Sequence, residues 1–269
     1  MITSAIRRFS QLTLLTLLLA LPLSLPGEEE QQAETLPEGL TITSVSFFPE
    51  TVELTNPYAY RQLLLSGTLE TGESVDLTRM ATLEGNPATV TVSESGLVRP
   101  LHNGQETLSF RYAEFQFEVP VTVSSLEAAR PASFVQDVAP VLSRMGCNAG
   151  TCHGSRLGKN GFKLSLRGYD PLYDHRALTD DVGARRFNRA APDQSLILLK
   201  STGAIPHIGG AVTSIDHPYY KLLRDWVARG AALDLESPRV TSIRVIPENP
   251  IIPRAGMKQQ MAVLATYSD

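Results

Sequence analysis

The sequence predicts a multidomain chain: an all-β sandwich, then a small, mainly α domain, then the start of a second β domain. Two observations carry that expectation. The first is a change of period. Apolar and polar residues alternate over residues 40–125, take helical spacing over 133–234, and alternate again from Val240. The second is an internal repeat: "TITSVSFFPETVELTNPYAYRQLLLSGTLETG" from Thr41 parallels "RVTSIRVIPENPIIPRAGMKQQMAVLATYSD" from Arg239. Both copies hold Thr-Ser before an apolar residue, a Pro-Glu pair, a turn and a glutamine-containing strand.

Residues 1–27 read as a secretory signal. Arg7 and Arg8 are positive, Leu12 to Leu25 is apolar, and Pro26-Gly27 stops the run before Glu28-Glu29-Glu30. The run is only about 14 residues, against the roughly 20 that cross a bilayer, and Pro22 interrupts it. Export to the periplasm or cell surface is therefore expected, ahead of an uncleaved anchor. Residues 28–39, polar and Glu-rich, read as a linker.

Residues 40–125 read as six or seven short strands of an antiparallel sandwich. Pairs such as Val52 and Leu54, Leu63 and Leu65, Val90 and Val92, and Leu108 and Phe110 carry the two-residue period. Asn56-Pro57, Glu70-Thr71-Gly72, Gly85-Asn86-Pro87, Ser95-Gly96 and Asn103-Gly104 separate them. In residues 131–235, Phe134, Val138, Val141, Leu142 and Met145 have helical spacing. Asp137 as N-cap would leave Pro140 in the first turn, where its missing N–H costs nothing. A second short helix is expected over 193–200. A third is expected after Asp216 or His217, with Pro218 in its first turn, Tyr219, Leu222, Leu223, Trp226 and Val227 on one face, and Gly230 as terminator. Residues 239–269 would be a truncated second sandwich, so that the natural chain continues.

A formal net charge of -4 without a Lys/Arg block excludes nucleic acid as the expected partner. No Ser-His-Asp set, readable carboxylate pair or phosphate-binding glycine loop is present, so any enzyme activity would lie in further C-terminal domains. Tyr169-Asp170 and Thr179-Asp180-Asp181 lack a specific calcium spacing.

The chemistry lies in "GCNAGTCHG" from Gly146. The chain has two cysteines, and both fall here, with His153 directly after Cys152. Covalent haem attachment needs two thiols that add to vinyl groups and an adjacent histidine for the iron. The usual spacing has two residues between the cysteines and this chain has four, so Asn148, Ala149 and Gly150 would loop out. A second axial ligand is expected just before the last helix. No methionine occurs from Gly154 to Asp234; Met145 is too near Cys147, and Met80, Met257 and Met261 lie in the β segments. "GAIPHIGG" from Gly203 instead offers His207, held by Pro206 and freed by Gly209 and Gly210. Histidine in place of methionine lowers a haem potential.

With "FVQDVAPVLSRMGCNAGTCHG", "GFKLSLRGYDP", "PDQSLILLKSTGAIPHIGG" and "WVARGA", residues 133–232 resemble the planctomycete-type cytochrome c family. "YRQLLLSGTLETGESVDLTRMA" resembles bacterial Ig-like domains of the second type. The resemblance implies an Ig-like β-sandwich (40–125), a cytochrome c-like domain (131–235) and the start of a second Ig-like domain (239–269). It implies one covalent haem c on Cys147 and Cys152, with His153 and His207 as iron ligands. The expected function is electron transfer or haem sensing, with a redox partner and cell-surface or glycan contact through the Ig-like domains.

Two readings compete: a Cys147–Cys152 disulfide in a haem-free surface protein, and zinc on both cysteines with His153 and His207. His175 reads as a loop residue, His217 as a helix cap, His102 as part of a turn, and Trp226 as core. Arg156, Lys159, Arg185 and Arg186 read as a diffuse, solvated basic rim.

Overall fold

Alternation over residues 40–125 becomes ten strands: β1 (Ile42–Phe48), β2 (Val52–Leu54), β3 (Arg61–Gln62), β4 (Leu64–Leu69), β5 (Ser74–Asp76), β6 (Thr82–Glu84), β7 (Val90–Val92), β8 (Leu97–Pro100), β9 (Gly104–Tyr112) and β10 (Phe115–Val123). The structure, a computed structural model, describes residues 34–127 and 130–269. The expected signal over 1–27 and the start of the linker lie outside the described residues.

The strands form sheets ordered β1-β4-β5, β2-β10-β9-β6 and β3-β8-β7. Their inward-facing residues, Val52, Leu54, Leu63, Leu108, Val119 and Val121 among them, are almost fully buried in one apolar core. Leu65, Leu69, Val75 and Leu77 form a second. The arrangement is β-rich and compatible with a sandwich, with one departure: β2 runs parallel to β10, Val52 opposite Val121. The β9–β10 hairpin turns on Ala113 and Glu114, with Ala113 at φ 49°. A left-handed alanine in place of Gly or Asn gives the turn no sequence signature.

The helical region is built from α1 (Ala139–Arg144), α2 (Pro171–Thr179), a short left-handed turn α3 (Asp181–Ala184), α4 (Leu196–Ser201) and α5 (Pro218–Ala228). The first helix starts earlier than expected. Ser133, not Asp137, is the N-cap, its Oγ accepting from Gln136 N at 2.9 Å. Pro140 consequently falls inside the helical stretch. A π-turn over Phe134–Val138 precedes it, with Val138 N donating to Ser133 O, five residues back. Widening that turn accommodates a residue that lacks an N–H and crowds the carbonyl four positions earlier. Asp137 instead accepts from Ser133 N and pairs with Arg130.

α2 was not expected. Asp170 caps it, accepting from Tyr173 N, and its buried Asp174 binds Ser165 through N and Oγ. His175 therefore sits on a helix, not in a loop. Its Nε2 lies 2.8 Å from Ala231 O, and its ring meets Phe134 and Trp226 edge-on. Residues 192–201 make a 3-10 turn and then α4, close to the expected span. α5 follows its signals except at one position: His217 Nδ1 caps Tyr219 N, and Tyr220, not the half-buried Tyr219, is buried with Leu222, Leu223, Trp226 and Val227. With Phe134, Val138, Leu142, Leu164 and Leu198 they make the core of the helical region. Trp226 is core, and its Nε1 donates to Ala232 O at 2.9 Å.

β11 (Val240–Ile246) and β12 (Ala262–Tyr267) pair antiparallel. The repeat is structural as well as textual. Ile42 opposite Leu69 corresponds to Val240 opposite Tyr267, an offset of 198 for each residue, with a register shift at the same point. Thr43 Oγ1 donates to Thr68 O and Thr241 Oγ1 to Thr266 O, both at 3.1 Å. Ile243, Val245 and Val263 on one face of this ribbon are exposed. Among the described residues no helix is long and apolar enough to cross a membrane.

Candidate functional site

The cysteine segment begins where α1 ends. Gly146, at φ 76°, takes the left-handed position that only glycine occupies without strain. Cys147 N then donates to Leu142 O at 2.9 Å, closing the helix with a Schellman-type bond. Helix termination thus delivers Cys147.

The four-residue spacer is not looped out as a whole. Asn148 turns inward, 1% exposed, and its Nδ2 donates to Ser143 Oγ on α1 at 2.7 Å. Successive turns follow, from Ala149 N to Gly146 O, Cys152 N to Ala149 O and Gly154 N to Ala149 O. His153 N returns to Cys147 O at 3.0 Å, so the histidine lies beside the first cysteine despite the long spacer. Only Gly150 and Thr151 face solvent. Folding the loop so tightly requires Gly154, because a Cβ there would fall 2.0 Å from Asn148 O.

Both cysteines are free thiols. Burial, and secondarily the neighbouring Cys152, push the Cys147 thiol up to about 11. It is therefore protonated at neutral pH.

His153 is fixed by the segment that follows it. Its carbonyl accepts from Leu164 N, its ring lies 4.5 Å from that of Phe162, and its Nδ1 lies 3.0 Å from Phe162 O. A carbonyl only accepts, so this bond puts the proton on Nδ1 and leaves Nε2 a lone pair. Burial holds the His153 pKa below its ordinary value. The Phe162 bond opposes that shift, while His207, Arg186 and Lys159 nearby reinforce it.

His207 has the same arrangement. Its Nδ1 lies 3.1 Å from Gly210 O, and Gly210 N returns to His207 O. Gly209 lets the ring lie close, since a Cβ there would stand 3.0 Å from His207 Cε1. The two imidazoles, 54 positions apart in the chain, have centroids 6.3 Å apart and planes 8° from parallel. At that separation the rings do not stack face to face. Their planes are nearly parallel, and the rings are too far apart for direct contact.

The loop sets His153 beside Cys147, and His153 and His207 stand near each other, while His175 and His217 serve the core and a helix cap. Among the described residues no group of three or more His, Cys, Asp or Glu side chains gathers to hold a metal ion. Arg186 also differs from expectation. It donates to the carbonyls of Ala177, Asp181 and Gly161 and lies 4.3 Å over the Phe162 ring, which makes it a structural brace. Phe162, which orients His153 through its ring and carbonyl, carried no sequence signal beyond being aromatic. No family model and no curated protein matches this chain, so the chemistry of the site rests on its own geometry.

Proposed function

We propose that residues 131–235 form an exported c-type cytochrome unit, in which Cys147 and Cys152 would join one haem and His153 and His207 would hold its iron. The observation that carries this reading is the disposition of the two imidazoles. Two rings bound in line on one metal, with metal–nitrogen bonds of about 2 Å and about 1.2 Å from nitrogen to ring centre, would have centroids about 6.4 Å apart. The observed separation is 6.3 Å. Both Nδ1 atoms are occupied by backbone carbonyls, as suits histidines whose Nε2 binds metal. The protein offers two ligands to such a metal, and the others would belong to a macrocycle. Apolar side chains border the site and face solvent: Ile208, beside His207, is 95% exposed, and Leu166, against Gly150, is 53% exposed. A planar apolar group seated between the histidines would cover surface of this kind.

When bound, the group supplies one-electron redox chemistry. The chain's own part is to hold two imidazoles in register and to tune the potential through them. The Phe162 and Gly210 carbonyls strengthen both imidazoles as donors, and two histidines favour a lower potential than His/Met ligation. Electron transfer to a redox partner, or haem sensing, is the function that follows. The β region would serve as an Ig-like spacer at the cell surface, in contact with surface glycan.

The experiment is a pyridine haemochrome spectrum of protein made in a strain that matures c-type cytochromes. Covalent haem and a low-spin spectrum are expected. His207→Ala should give high-spin iron open to small ligands, His207→Met should raise the potential, and His175→Ala should leave the spectrum unchanged. A wild type without a Soret band, and about 2 Da lighter than the reduced chain, would replace this reading with a haem-free disulfide protein.

A further inference from the structure

A cleft of about 60 Å³ opens between the β region and the helical region, away from the cysteine segment. Tyr58, Tyr60, Arg99, Asp137, Arg144 and Tyr219 are among its walls. The Arg99 guanidinium stands 5.5 Å from the centre of the Tyr60 ring and 5.8 Å from that of Tyr219. The Arg144 guanidinium lies 4.9 Å from the same Tyr60 centre and donates to Tyr60 Oη at 2.8 Å and Tyr219 Oη at 3.4 Å. The two cations can therefore be no farther apart than about a Debye length at moderate salt, roughly 10 Å.

Neither arginine forms an ion pair among the described residues. The carboxylates nearest the cleft are already engaged: Asp137 by both arms of Arg130, and Asp225 by Tyr58 and Arg229. Tyrosine faces and hydroxyls satisfy part of each guanidinium and cancel neither charge. Two cations within about 10 Å of each other, Arg144 exposed and Arg99 half-buried, border a space the size of about two water molecules and lack an anionic partner.

We propose that this cleft binds a small tetrahedral oxyanion, phosphate or sulfate, between Arg99 and Arg144. The bound ion bridges the β region, which supplies Arg99, and the helical region, which supplies Arg144. The site is independent of the haem reading.

The test is isothermal titration calorimetry of the purified full chain with inorganic phosphate and with inorganic sulfate, at constant ionic strength set by chloride. One saturable site is expected for both. Arg99→Gln and Arg144→Gln should each weaken it at least about tenfold, as loss of a charge-assisted partner implies. Arg99→Lys should fall between, and Arg189→Gln, on an exposed arginine elsewhere, should leave binding unchanged. Circular dichroism checks that the variants fold. No saturable heat from the wild type up to about 10 mM of either anion, equal displacement by chloride, or an unchanged affinity in the Arg99→Gln, Arg144→Gln double variant would each overturn the proposal.

Discussion

Gly154→Ala should unfold the cysteine segment selectively. The new Cβ would fall 2.0 Å from Asn148 O and 2.7 Å from its carbonyl carbon, both backbone atoms. Reaching an ordinary contact of 3.4 Å means opening the loop by about 1.4 Å. That carbonyl accepts from Arg167 N at 3.1 Å, and its residue holds Ser143 from a buried position at 2.7 Å. Gly154 N also donates to Ala149 O at 3.1 Å. Losing two or three such bonds at about 1 kcal/mol each puts the destabilisation at about 2–3 kcal/mol, roughly 30- to 150-fold in the folding equilibrium. Gly150→Ala is the matched control. Its Cβ would meet only Leu166 Cδ1, at 3.7 Å, so stability should stay within about 0.5 kcal/mol. Urea unfolding of the haem-free full chain, followed by fluorescence, reads this directly, because the one tryptophan, Trp226, lies in the helical core. Equal stability of Gly154→Ala and wild type, or equal damage from both variants, would refute the folded-back loop.

Burial raises the Asp174 carboxyl above its ordinary range, against the two bonds from Ser165. A carboxyl raised on folding contributes stability fully below its unfolded pKa, about 4, and that contribution is lost as pH rises through the folded value. Asp174→Asn should therefore flatten the urea midpoint against pH from about pH 4 upward; parallel profiles for variant and wild type would contradict this. Tyr58→Phe removes a 2.5 Å bond to Asp225, 167 positions away on α5, and should cost about 1.5–3 kcal/mol in the same unfolding assay. His217→Ala removes the α5 cap and should cost about 1 kcal/mol while leaving any haem spectrum unchanged. Imidazole planes 8° apart should give the loaded protein a rhombic low-spin electron paramagnetic resonance signal, whereas a strongly axial one would mean that the rings turn on binding.

Much of the β region was legible because its signals are local. Alternation at Val52 and Leu54 or Val119 and Val121 reports directly which side chains face the core, and the repeat marked residues 239–269 as a second copy of the first strands. What escaped were features without a local mark: the left-handed Ala113 turn, the parallel β2–β10 pair, and α2, whose Asp170 cap stands beside a proline that reads equally well as loop. The first helix was placed but miscapped. Ser133 and Asp137 are both good caps, and the choice fell to a π-turn that Pro140 makes useful.

By itself the sequence determined which groups the site contains. Cys147, Cys152 and His153 are bound together by chain connectivity, and His207 was marked by the absence of any methionine that could compete with it. Only the tertiary structure decided how those groups stand. That the four-residue spacer folds inward on Asn148 depends on Ser143 one turn back in α1 and on the missing Cβ of Gly154. That both imidazoles present Nε2 depends on the carbonyls of Phe162 and Gly210, backbone atoms whose positions no side-chain identity specifies. The 6.3 Å between the rings is a distance between segments 54 residues apart, and the shared core beneath them sets it. Which residues carry chemistry is written in the chain; how they stand relative to one another is a property of packing and exists once the core has closed.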